Sequence, residues 1–195
     1  MRDDGPAVQE VTTAVYVIPT DAPEADGTLA WDKTTMVLAS VRAGAERGIG
    51  WTYAAAAAQS VIAKVLAGVV VGRSALDIPG AAEAMARVVR NIGRPGVAAT
   101  AISAVDIALW DLKARLLGCS LARLLGQARD RVPVYGSGGF TSYDDVEYFH
   151  DHQRIERMFF DGALHPDGGG LAPDPDQPGL GLALRASDAE RYRHR

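Results

Sequence analysis

Alternation and β-branching dominate the start of the chain. Residues 11–18, VTTAVYVI, predict a strand that Pro19 ends. The polar run TDAPEADGTLAWDK, residues 20–33, is rich in Pro, Gly and Asp and predicts a loop. A second strand is expected at 34–41, TTMVLASV, and after the turn RAGAERG a short third one at 49–53. Three successive strands on short connections favour an antiparallel meander.

The period then changes to that of helices. Residues 54–71 place Val61, Ile62, Val65, Leu66 and Val69 on one stripe. Asp77 is positioned to cap a second helix with Pro79 in its first turn, where a missing N–H costs least. That helix is expected to carry Met85, Val88, Val89 and Ile92 inward and to stop at Gly93. The clearest helix starts near Ala98, with Ile102, Val105, Leu109, Leu112 and Leu116 spaced by threes and fours. Asp111 and Arg115, one turn apart, read as a minor ion pair on its outer side, and Gly118 suits the left-handed position past its end. A short helix, LARLL, closes at Gly126, and VPVYGSGGF then reads as a strand with a glycine-rich end. From Thr141 the chain turns charged, aromatic and histidine-bearing, then dense in Gly, Pro and Asp.

Composition narrows the function classes. The 195 residues are 48% hydrophobic and 23% charged, enough apolar material for a packed core. A net charge of -4 provides no global basic field for nucleic acid. Cys119 is the single cysteine and reads as a small packed hydrophobe, consistent with a reducing compartment and a cytoplasmic location. The N-terminus has no apolar signal-like core, and Gln59, Ser60 and Lys64 interrupt the most membrane-like stretch, so no membrane span is expected.

The order of three strands, helices and then VPVYGSGG, and above all AISAVDIALWDLKARLLGCSLARLLG at 101–126, resembles the enolase superfamily, in its mandelate racemase/muconate-lactonising branch. The resemblance implies an α+β fold class: an N-terminal capping domain at 8–131, and the first strand of a (β/α) barrel at 132–143. A second block, 144–185, is similar to the family's extreme C-terminus, which returns to lie on the capping domain. Residues 186–195, SDAERYRHR at their core, are expected to be a disordered tail. Between the two blocks the barrel is missing. Full barrels take about 250 residues, the join falls near Thr141 to Val146, and six or seven of the eight strands have no counterpart.

That gap bears on the chemistry. The family abstracts a proton next to a carboxylate, with Mg²⁺ stabilising the enediolate and a Lys or His as base. Its ligands and base sit on barrel strands, whereas Lys33, Lys64 and Lys113 all precede the barrel. No catalytic residue, no metal ligand and no cofactor is therefore expected in this chain, Mg²⁺ belonging to the family it resembles. The capping elements imply vestigial substrate-covering residues: Thr20, Asp21 and Trp31 after the first strand, and Trp51 and Tyr53 at the third. Packing at a sheet edge is the alternative for those aromatics. His150, Asp151 and His152 could suggest a metal, but on a helix 150 and 152 would not share a face, and packing is favoured. Ser137 in GSGG lacks a nucleophile elbow, and GVVVG at 68–72 lacks phosphate-loop spacing.

The expected function is a catalytically inactive relative of Mg-dependent acid-sugar dehydratases, racemases or cycloisomerases. The alternatives are an enzyme active only with a partner chain supplying the barrel, and a binding or oligomerisation module. A small carboxylate is the substrate only in the family it resembles; self-association into a homo-oligomer is expected, nucleic acid and membrane are not. The strand at 132–140 should lack partners and promote that association.

Overall fold

The computed structural model describes residues 5–25, 28–135 and 150–194. Three antiparallel strands, β1 (Glu10–Ala25), β2 (Ala30–Ala43) and β3 (Glu46–Tyr53), form a sheet in that order. The side-chain period of two divides it between two cores. Val15, Val37, Ala39 and Val41 face one way, into a core shared with the helices. Ala14, Tyr16, Ile18, Met36, Leu38 and Ile49 face the other way, into a core completed by the chain's end.

The first core belongs to the helices. α1 (Ala57–Val61) runs through a π-helical stretch, Ile62–Leu66, into α2 (Ala67–Val70), which together bury Ala58, Ile62, Leu66 and Val70. α3 (Ile78–Val88) starts where the Asp77 side chain accepts from the Gly80 N–H. α4 (Val97–Leu116) presents Ala101, Ala104 and Ala108 to the sheet. Gly48 and Gly50 of β3 lie against it so closely that a Cβ on Gly50 would stand 2.3 Å from the Ala104 carbonyl oxygen. Small residues on both sides thus bring strand and helix backbones into contact, which concentrates dispersion attraction there. α5 (Leu121–Leu125) follows, with the Ser120 hydroxyl accepting from Arg123 N–H.

The second core is closed from the C-terminal side. α6 (His150–Phe159) and the short strand β5 (Phe160–Asp161) bury Ile155, Phe159 and Phe160 against the sheet. Phe159 meets the Tyr16 ring edge-on at 5.2 Å and Phe160 stacks on Trp51 at 4.7 Å. Side chains of this size contribute about 1.5–3 kcal/mol each when buried. β6 (Gly170–Leu171) and β7 (Ala183–Leu184) pair with β4 (Val132–Pro133) and β5 respectively.

Five expectations need correction. The loop expected at 20–33 is largely strand: β1 and β2 continue past a bulge between Pro19 and Glu24 and pair Glu24 with Trp31 and Ala25 with Ala30. Backbone ladder bonds hold this projecting ribbon whatever the side-chain polarity. Val88 and Ile92 are not in the core; α3 stops at Val88, itself exposed, and Ile92 is 60% exposed, on the turn leading to Gly93 and Gly96 at positive φ. The tail at 186–195 is structured through 194. α7 (Ala186–Glu190) buries Ala189, and residues 192 and 194 pair with β1 through Val17 N–H to Tyr192 O and His194 N–H to Val15 O, both 2.9 Å. The free edge of β1 supplies the partner that the sequence of the tail does not reveal. The start of the strand expected at 132–140 has found a neighbour in β6, with Val134 N–H donating to Gly169 O; residues 136–149, with Ser137 and Phe140, lie outside the described residues. Asp111 is wholly buried rather than on the outer side of α4.

Candidate functional site

The face with substrate-covering potential lies where β3 and the base of the β1–β2 ribbon meet α6. Trp51 and Tyr53 are successive residues on one side of β3, because they are two apart on a strand. Their rings are occupied by the chain's own C-terminal part. Trp51 is stacked on Phe160, and Tyr53 lies parallel to His152 with 3.7 Å between centroids and 7° between planes. The Tyr53 hydroxyl donates to the His152 carbonyl at 3.4 Å.

Charged and hydroxyl groups lock the same helix to the ribbon. The Thr34 hydroxyl donates to the Asp151 carboxylate. Arg154 donates to Asp151 at 2.7 Å and to the Pro19 carbonyl at 2.7 Å, and lies 4.0 Å from Asp21. Thr20 is half-buried in the extended β1 and Trp31 pairs with Glu24 further out along the ribbon. The structure therefore brings Trp51 and Tyr53 together and places Asp21 near α6, but Trp31 is not among them: Tyr53 pairs with Met36, several residues nearer the base. Asp151 and His152 take the packing role favoured for them, and Arg154 is the residue of this face that the sequence reading missed. Its signal was the Asp151–Arg154 spacing of three, one helical turn.

Burial sets the protonation of this cluster. It pushes the Tyr53 phenol well above its ordinary range, with the Glu156 charge adding to the effect, so the hydroxyl stays a donor. It pushes the His152 imidazole down, partly opposed by Asp151, and the Glu156 carboxyl up. A neutral imidazole stacked face to face on a protonated phenol is a packing pair.

A second buried constellation sits at the other end of β3. Asp111 accepts from Ile49 N–H at 2.8 Å, from Leu180 N–H at 2.7 Å and from Arg115 Nε at 3.0 Å. It joins β3, α4 and the C-terminal segment at one carboxylate. Lys113, the lysine closest to it in sequence, donates to the Leu76 carbonyl at 2.9 Å and lies over the Trp110 ring, a structural placement.

Residues 10–126 match the N-terminal domain of the mandelate racemase / muconate lactonizing enzyme family. The chain belongs to this family. It is 33% identical to the L-talarate/galactarate dehydratase of Salmonella typhimurium, across 74% of this chain and 39% of that protein, so it spans well under half the length of that relative. A magnesium-bound racemase from Streptomyces coelicolor A3(2) is 31% identical and superimposes with a TM-score of 0.65, over 77% of this chain and 43% of its own. A mandelate racemase/muconate lactonizing enzyme-like protein from Rubrobacter xylanophilus is 28% identical with a TM-score of 0.93, over 97% of this chain and 100% of the solved one. The α+β capping fold is thus that of the family, and one solved relative shares this arrangement from end to end.

Among the described residues nothing fits the family's magnesium. No three of their His, Cys, Asp or Glu side chains converge as a metal would require. The Asp111 carboxylate already accepts from three donors, and Asp151 is bound to Thr34 and Arg154. Among the described residues no helix is long and apolar enough to cross a membrane.

Proposed function

We propose that this chain is a mandelate racemase/muconate lactonizing family member that does not itself perform the family's Mg-dependent chemistry. Its capping domain is closed by its own C-terminal strap. The observation that carries the reading is the engagement of Trp51 and Tyr53 by Phe160 and His152. Aromatics that would cover a substrate are spent on intramolecular stacking, each such pair worth about 0.5–1.5 kcal/mol beyond burial. The end-to-end likeness to the Rubrobacter xylanophilus protein supports a chain that folds in this form. A cytoplasmic location is part of the proposal, in keeping with the single, unpaired Cys119.

The test is turnover. The purified chain with excess Mg²⁺ is expected to leave galactarate, L-talarate and galactonate unchanged, followed by dehydration product and by exchange of the proton next to the carboxylate in D₂O. Activity that co-purifies with the chain would overturn the reading. Activity appearing only with a second chain would instead establish the two-chain enzyme.

Self-association is a second reading, favoured by one observation. Leu117, Leu125, Val132 and Tyr135 are exposed within one stretch of the chain, Tyr135 by 84%. Clusters of exposed apolar side chains promote association. Size-exclusion chromatography over a concentration series should show a dimer or larger species that Leu125→Lys with Tyr135→Thr shifts toward monomer. A monomer at every concentration would remove this reading.

A further inference from the structure

The strap does not cover the whole outer face of the sheet. Between it and the strands, at the end away from Trp51 and Tyr53, an open groove of about 470 Å³ remains. That is within the range of small-ligand sites, roughly 300–1,000 Å³. Three arginines, Arg47, Arg115 and Arg193, line it, and no carboxylate is among its lining residues. Each comes from a different element: the start of β3, the end of α4, and the segment after α7. The fold thus gathers like charges that local sequence keeps far apart.

The guanidinium groups are not equally engaged. Arg115 is held by Asp111 and by the Leu182 carbonyl, so its charge is largely compensated. Arg47 donates to the Ser40 hydroxyl at 2.9 Å and lies 3.3 Å from Glu10. Arg193 lies over the Tyr16 ring and donates to its hydroxyl at 3.5 Å, a long bond. A guanidinium has five N–H donors in a fixed fork, which leaves Arg47 and Arg193 with unspent donor capacity. Thr12 and Ser40 add hydroxyls at the rim, while Leu38, Ile49 and Leu184 form an apolar floor.

We propose that this groove binds a small organic anion, its carboxylate or phosphate held between Arg47 and Arg193 and its carbon skeleton resting on Leu38 and Ile49. The forked geometry of arginine matches both anions, and the apolar floor favours a ligand with a carbon body over a bare ion. The site lies on the strap side of the sheet and uses residues of the C-terminal segment, so it exists only when the strap is docked. It is independent of whether the chain carries any catalytic activity.

Calorimetric titration of the full chain with citrate, and separately with inorganic phosphate, tests this at ionic strength matched with sodium chloride. Saturable one-to-one binding of citrate is expected, weakened at least about tenfold in the double variant Arg47→Gln/Arg193→Gln, as for loss of charge-assisted hydrogen bonds. Arg90→Gln, an exposed arginine outside the groove, should bind as the native chain does. Thr12→Glu places a carboxylate at the rim of the groove without altering either arginine, and should abolish binding even if the double variant is unstable. Tighter binding of inorganic phosphate than of citrate would show that the apolar floor contributes nothing, and would overturn the proposal. Absence of saturable binding of either probe, or equal weakening by Arg90→Gln, would overturn it as well.

Discussion

Replacing Asp111 by alanine removes one carboxylate and strands three donors. Ile49 N–H and Leu180 N–H lose an acceptor at 2.8 and 2.7 Å, and the partly covered Arg115 loses its counter-charge at 3.0 Å. A buried donor left unpaired costs about 1–3 kcal/mol, and breaking a buried ion pair costs about 3–5 kcal/mol. These overlap, because Arg115 retains the Leu182 carbonyl and some exposure, so a total of about 3–5 kcal/mol is expected. For a chain of this length, about 2–4 °C in Tm accompanies each kcal/mol, which places the loss near 10 °C. Urea unfolding and calorimetry measure it. Asp111→Asn sharpens the test. If its amide oxygen takes the Oδ2 position it still accepts from Ile49 and Arg115, but Arg115 loses its counter-charge and Leu180 N–H faces the amide NH₂ instead of an acceptor. That variant should lose less than the alanine one, about 2–3 kcal/mol, while becoming far more sensitive to proteolysis around residues 175–182. An alanine variant within about 1 kcal/mol of the native chain, with the strap still protected, would refute the view that this carboxylate ties the strap to the domain.

Gly50→Ala sets a Cβ against the Ala104 carbonyl and Ala108 N–H, backbone atoms that cannot rotate away, and should cost about 3 kcal/mol in urea unfolding. Glu156 has its carboxyl raised by burial from an ordinary value of 4.5. The folded chain therefore holds this proton more tightly than the unfolded one, and Glu156 favours folding most below pH 4.5, that contribution being lost as pH rises through the folded value. Glu156→Gln should then gain stability relative to the native chain at pH 8 and gain less at pH 4; an equal gain at both would exclude the assignment. Ending the chain at Arg185 removes the buried Ala189 and the bonds from residues 192 and 194 to β1. It should lower the melting temperature and expose a strand edge prone to pairing with another copy, read by calorimetry and light scattering.

The sheet and the long helix were legible in the sequence because their signals are local. The alternation in VTTAVYVI specifies a strand with two faces, and the structure uses both, Val15 toward the helices and Tyr16 toward the strap. The three-and-four spacing of α4 places Val105, Leu109 and Leu112 in the core as expected. The family, too, was readable from 101–126, since a packed helix and its cap constrain residue identity over consecutive turns. Asp111 shows where local reading ends. Four residues from Arg115, it has the spacing of a solvent-exposed pair, and only the return of Leu180, 69 residues later, buries it. The tail was misread for the same reason: SDAERYRHR is polar enough to be solvated, and what orders it is the open edge of β1, at the far end of the chain. Trp51 and Tyr53 were open in the sequence to either substrate covering or packing, and in the structure Phe160 and His152 arrive against their rings. Hydrophobic period and capping act over a few residues and are written in order along the chain. Burial of a charge, pairing of an edge and the gathering of three arginines around one groove depend on which distant segments meet, and those were decided by the tertiary fold.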